Sequence, residues 1–261
     1  MQRYALGIEY DGRQFSGWQI QPDRPTVQLA MEEAVSKMAG HSVRVHAAGR
    51  TDAGVHASGQ VIHFDSSAPR PLNAWVRGVN SFLPQGIAVV WARAVDERFH
   101  ARFLASARHY RYLVLNHPVR PALLAGKVGW SHQELDVGAM QAAADLLLGE
   151  HDFSSFRAAE CQAPSPVKVM HAIRIRQDGH LICFDFSASA FLHHMVRNIM
   201  GALLHIGKGN QPAEWMTEVL GWRDRSLAPP TFMPDGLYLS GVSYPPEYEL
   251  PSEPAPRYGL L

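Results

Sequence analysis

Cysteine is scarce in this chain of 261 residues: there are two, Cys161 and Cys183. They lie far apart and form no CxxC pair. They read as thiols in a reducing compartment, with a disulfide as the minor alternative. No apolar run approaches the roughly 20 residues that a bilayer-spanning helix needs. The start, Met1-Gln2-Arg3-Tyr4, leads into strand-like alternation without the long apolar core of a signal peptide, so a cytoplasmic chain with no membrane partner is expected. Net charge is missing too. Lys plus Arg and Asp plus Glu count 24 each, which removes the global basic signal that nucleic-acid binders often carry. Among 14 histidines there is no HExxH and no Cys/His set with zinc spacing. His46, His56, His63 and the pair His193-His194 therefore read as structural or exposed, against a rival in which Asp52 and His56 join others at one ion.

What is present is an ordinary globular composition, 46% apolar and 18% charged, at a length that fits one large domain or two small ones. Tyr4 to Tyr10 alternates as a strand, closed by the turn pair Asp11-Gly12. Thr26 is placed to cap a helix whose Val27, Ala30, Met31, Ala34, Val35 and Met38 fall at helical spacing up to Gly40. Strands follow over 42–48 and 60–65, then a helix over 71–83 and a strand over 86–95. That order is βαββαβ, a ferredoxin-like plan. The second half repeats it loosely: strands over 110–115, 167–177, 180–188 and 237–244, and helices over 135–148, 191–206 and 212–220. The expectation is an α+β chain of two ferredoxin-like domains, residues 1–104 and 105–261, with a positively charged cleft between them. The proline-rich tail from Pro245 reads as extended.

The stretch Gly49-Arg50-Thr51-Asp52-Ala53-Gly54-Val55-His56 carries the most chemistry. Two glycines bracket Arg50, Thr51 and Asp52 between strands, where they permit tight turns and close approach of a ligand. Asp52 is either presented to a ligand or closes a decorated turn on its own backbone. A second feature is the run of Arg93, Arg98, Arg102, Arg108 and Arg111 with His100 and His109. It reads as a solvated face or as a phosphate-binding wall.

The Asp52 loop resembles the active-site loop of the tRNA pseudouridine synthase A family. The resemblance extends through Gly7 to Gly12, Gly17-Trp18-Gln19, Val27-Gln28, Gly59-Gln60-Val61, Phe99-His100-Ala101-Arg102-Phe103 and Tyr110-Arg111-Tyr112. It continues through Asp152-Phe153, Phe191 to Asn198 and Gly236 to Leu239, nearly the whole chain. It implies isomerisation of uridine to pseudouridine in the anticodon stem-loop of tRNA (positions 38, 39 and 40), without cofactor or metal, in a homodimer. By the same resemblance Asp52 is the catalytic carboxylate and Arg197 the cation that keeps it ionised. Tyr110 stacks on the extruded base and serves proton transfer, and Leu239 or Leu237 forms the apolar wall beneath it. Arg50 and Arg24 are expected to contact the RNA backbone near the flipped nucleotide. His109 stands where the family more often has Arg or Lys. The competing expectation is a non-catalytic RNA-binding module of ferredoxin-like fold, against which the lack of an RNP1-like string counts.

Overall fold

The structure, a computed structural model, describes residues 1–251. In chain order the α+β fold contains β1 (Gln2–Tyr10), α1 (Val27–Ala39), β2 (His46–Ala47), β3 (His56–Ser66), α2 (Leu72–Asn80), β4 (Ile87–Val95), β5 (Ala107–Asn116) and β6 (Gly129–Ser131). These are followed by α3 (Val137–Asp145), β7 (Gly149–Asp152), β8 (Val167–Asp178), β9 (Leu181–Ala188), α4 (Met195–Gly207), α5 (Trp215–Trp222) and β10 (Leu237–Ser243). Pro246–Tyr248 forms one 3-10 turn, and the rest of the proline-rich tail beyond Pro251 lies outside the described residues. No helix among the described residues is long and apolar enough to cross a membrane. The chain divides into two compact units, Met1–Ala107 with the chain from Tyr238 onward, and Arg108–Leu237.

In the first unit β1 lies between β3 and β4, antiparallel to both. Both faces of β1 are covered, so Tyr4 to Ile8 are buried without the alternation that the sequence suggests. One cover is Trp91, whose indole lies against Gly7 so closely that a Cβ there would meet it at 2.0 Å. Tyr4, Phe64 and Trp75 pack ring against ring at 5.0 to 5.6 Å, and each buried aromatic of this kind contributes about 2–3 kcal/mol.

The far edge of β3 is shared. β2 pairs with it at Ile62 and His63, and β10 runs parallel to it at His56 and Ala57. The strand expected over 42–48 thus shrinks to two residues. The reason is visible in the backbone: the N–H of Val43 goes to Ser36 Oγ and that of Val45 to Glu32 Oε1, both on α1, leaving little to form a ladder. Thr26 occupies the N-cap position of α1, but its side chain makes no cap bond. The carbonyls of Gly17 and Trp18 replace it, accepting from the N–H groups of Val27 and Gln28.

His46, His63 and His100 also meet in this unit, with His63 rings 5.0 and 4.5 Å from the other two. His63 Nδ1 accepts the N–H of Ala101. Burial, then the neighbouring histidines and Arg3, push its pKa down to about 3 against the opposing pull of Asp65. Below about pH 6.5 the unfolded imidazole takes up a proton that the folded one refuses, so stability falls as pH drops from 6.5 toward 3. Between pH 7 and pH 5, where carboxylates stay ionised, the urea-derived stability should drop by about 1–2 kcal/mol on this account. In His63→Asn, whose Oδ1 can still accept from Ala101, the drop should be clearly smaller. An equal drop in both proteins would remove His63 as its source.

In the second unit β9 pairs antiparallel with β5 and β8, β8 pairs with β7, and the short β6 runs parallel to β5. Asp136 caps α3 by accepting the N–H of Ala139. β6 and β7, with three and four residues, are too short to show a period and were not expected from the sequence. Helix α4 begins at Met195 rather than Phe191 because His194 sits at φ 62, a left-handed conformation that no helix continues through. A strap, residues 229–232, crosses α4 so closely that a Cβ on Gly201 would meet the Pro230 carbonyl at 2.2 Å.

Candidate active site

The Asp52 loop is held by backbone contacts on several sides. The Ala48 N–H donates to the Val61 carbonyl at 2.8 Å, and Gln60, fully buried, donates from Nε2 to the Gly49 carbonyl at 2.7 Å. The Trp18 N–H donates to the Thr51 carbonyl at 3.0 Å, and the Val55 N–H closes a turn onto the Asp52 carbonyl at 3.1 Å. Gly54 takes the positive φ, 79°, that this turn requires. Thr51 Oγ1 lies 2.8 Å from the Tyr10 hydroxyl in a buried pair. Burial pushes the Tyr10 phenol up to about 12, with Thr51 and Gln60 acting against it, so Tyr10 is a neutral strut at physiological pH.

At the end of the loop His56 is buried and accepts the Gly12 N–H at Nδ1, 3.1 Å. A ring nitrogen that accepts from the backbone fixes the tautomer with hydrogen on Nε2. Asp11 Oδ1 is 3.3 Å from the same Nδ1. Asp11 is kept ionised: its bond from Arg13 holds its pKa at about 2 despite partial burial. Tyr238 stacks on the His56 ring, centroids 4.6 Å apart and planes 18° apart. Gly12 allows this approach, since a Cβ would fall 2.1 Å from the Val55 carbonyl oxygen.

Asp52 itself is half-buried, at the tip of this fixed loop. Arg50 is exposed two residues earlier and Arg24 is exposed in the loop before α1. Leu239, in the same unit on β10, is fully buried and in register with Ala57. Leu237 is also buried, so the apolar wall expected of one or the other starts from a side chain already out of water.

Tyr110 and Arg197 belong to the second unit. Tyr110 is half-buried on β5, opposite Phe186 of β9, and meets Phe191 edge-on at 5.0 Å. Arg197 is in the first turn of α4, whose first turn contains no acidic residue. A cation there opposes the helix dipole. Two bonds offset the conflict: Arg197 Nε donates to the Phe232 carbonyl at 2.9 Å, and the Phe232 N–H donates back to the Arg197 carbonyl at 3.1 Å. The strap is secured in turn by Thr231 Oγ1 donating to Asn198 Oδ1 at 2.6 Å, while Asn198 Nδ2 donates to the Phe156 carbonyl. The helix start thus presents an arginine whose orientation is fixed and whose charge favours an anion.

The arginine run from Arg93 to Arg111 is only partly available as a phosphate wall. Arg98 pairs with Asp96 at 2.8 Å and Arg111 with Asp185 at 2.7 Å. Arg108 donates to the Ser189 carbonyl. Burial, helped by His171, pushes the His109 imidazole below its ordinary pKa, so it is neutral near pH 7 and adds no charge. Gly12, Gly17, His56, Gln60 and the 229–232 strap were not predicted as supports. Gly12, Gly17, His56 and Gln60 all lie in the motifs that carry the family resemblance, but a motif does not say what touches what.

A family model described as tRNA pseudouridine synthase matches residues 7–104 and 143–245. Asp52, Arg50, Arg24, Arg197 and Leu239 fall in the matched spans, and Tyr110 lies between them. The chain is 63% identical over 251 residues to tRNA pseudouridine synthase A of Chromobacterium violaceum, covering 96% of each. It is 61% identical over 249 residues to the protein of the same name from Methylobacillus flagellatus, covering 95% of each. Against that of Paraburkholderia xenovorans it is 54% identical over 261 residues, all of this chain and 96% of the other.

Proposed function

The chain belongs to the tRNA pseudouridine synthase family, and from that premise we propose that it isomerises uridine to pseudouridine in the anticodon stem-loop of tRNA with Asp52 as the catalytic carboxylate. The observation that carries this reading is the Asp52 loop, a carboxylate on a rigid, Gly-bracketed turn with an exposed arginine two residues before it. The reaction breaks the C1′–N1 bond, turns the uracil, forms C1′–C5 and moves the proton from C5 to N1. Atoms and electrons balance within the nucleotide, so the chemistry calls for positioning and a carboxylate rather than an outside reductant or oxidant.

In this reading Arg197 is the cation that keeps Asp52 ionised, supported by its fixed Nε bond and by an α4 first turn without acids. Tyr110 stacks on the uracil, and its phenol serves the C5 proton. Leu239 is the apolar wall, and Arg50 and Arg24, both exposed, contact phosphates. The two units then act as ferredoxin-like domains with a basic cleft between them, in a cytoplasmic homodimer. Light scattering at micromolar concentration gives the mass that tests the dimer.

The test of the reaction is release of tritium from tRNA labelled at uracil C5. The wild-type protein should release label in step with pseudouridine formed, and release no greater than that of Asp52→Ala would sink the assignment. Affinity for tRNA should fall with added salt, as phosphate contacts require.

A further inference from the structure

An aromatic side chain stands out in the first unit, in the segment between β4 and β5. Phe103 is 74% exposed, yet the turn that carries it is built rigidly. His100 Nδ1 accepts the N–H groups of both Arg102 and Phe103, and the Leu104 N–H returns to the His100 carbonyl. Ala101, fully buried, donates to His63 Nδ1 and accepts from the Tyr244 hydroxyl. Phe99, fully buried just before, meets Tyr244 and Tyr248 at 5.2 and 5.1 Å. His63 and His100 thus act as struts beneath an exposed ring.

The surroundings of that ring are cationic or imidazole-bearing. The Arg102 guanidinium lies 5.7 Å from the Phe103 centroid and the His100 ring 4.2 Å from it. His46 is 5.6 Å from His100, and Arg44 shares the exposed face of the same extended segment. Asp65 and Asp96 are engaged by Arg3 and Arg98. RNA offers unpaired bases to aromatic faces and phosphates to arginines, the two chemistries that stand side by side here.

We propose that Phe103 is a stacking platform for an unpaired nucleobase of the tRNA, with Arg102, Arg44 and His46 taking the adjoining phosphates. It is a second RNA-binding subsite that positions the substrate, and it rests on the reading of tRNA as substrate. It takes no part in bond making. Rigid exposure is what a stacking platform needs, because no side-chain freedom is lost when the base arrives.

The experiment measures tRNA affinity by filter binding, and the single-turnover rate at saturating tRNA, for wild type, Phe103→Ala, Phe103→Leu and Phe103→Trp. Alanine and leucine should each weaken binding about five- to a hundred-fold, the range that base–aromatic stacking supplies, and tryptophan should restore it. The leucine variant keeps apolar bulk and lacks the π face, so it separates stacking from packing. The single-turnover rate should hold within about twofold in all three, since the site supplies binding alone. Affinity in Phe103→Ala and Phe103→Leu within about twofold of wild type overturns the proposal. So does a change of molecular mass in these variants, which would assign Phe103 to a protein interface. A wild-type protein that binds tRNA and releases no tritium would fail the reaction while leaving this subsite standing.

Discussion

Asp52→Asn is expected to abolish tritium release from C5-labelled tRNA while the variant still binds tRNA within about tenfold of wild type, a change of at most ~1.4 kcal/mol. The two halves of this outcome have separate causes. Asn has nearly the shape of Asp, and the turn that holds residue 52 uses its backbone carbonyl, to which the Val55 N–H donates. The loop should therefore keep its place. What vanishes is the negative charge. An amide oxygen neither attacks an electron-poor carbon nor stabilises a developing positive charge at C1′ as a carboxylate does. Binding draws mainly on phosphate contacts, so removing an anion from the protein should cost little affinity. A rate within about tenfold of wild type would end the claim that Asp52 is the catalytic carboxylate. Loss of binding together with activity would instead point to a role in shaping the loop, and thermal melting would show whether the fold had changed.

The form of that loop was legible in the sequence because its signal is local: two glycines bracket an arginine, a threonine and an aspartate, and the turn closes with Gly54 at positive φ. The same holds for the antiparallel pair β8 and β9, whose turn Asp178-Gly179 announces itself. What failed to show depends on residues distant in sequence. Gly12 and His56 are 44 positions apart, and nothing in either neighbourhood says that one donates to the other. Arg111 looked available for phosphate because its partner Asp185 is 74 positions away. Helix α4 was read four residues too long at its start, since Phe191 and Leu192 are apolar at helical spacing and the left-handed turn at His194 leaves no mark on that pattern. Strand 42–48 was read too long for the opposite reason. Its alternation of Val43 and Val45 with exposed Arg44 and His46 is real, but α1 side chains take the backbone bonds a ladder would have used.

Gly17 offers the sharpest test of whether loop placement governs activity. It adopts φ 90°, and a Cβ there would stand 2.8 Å from the Thr51 carbonyl oxygen and 3.1 Å from the Ala53 nitrogen. These are backbone atoms on either side of Asp52, so they cannot swing aside as a side chain would. Gly17 also feeds its carbonyl to the first turn of α1, while Trp18 bonds both that helix and Thr51. The Gly17 segment therefore links the helix to the Asp52 loop. Gly17→Ala should lower stability by about 2–4 kcal/mol, combining left-handed strain with the clash. It should cut turnover by about a hundredfold or more, as displacing a reactive group by an ångström does. Gly40 supplies the control. It too is left-handed, φ 76°, but no atom lies within 4 Å of a Cβ placed there. Gly40→Ala should cost about 1–2 kcal/mol from strain alone and leave turnover intact. If the two variants lose activity in equal measure, global strain explains both, and the contact between Gly17 and the Asp52 loop has no special part in catalysis.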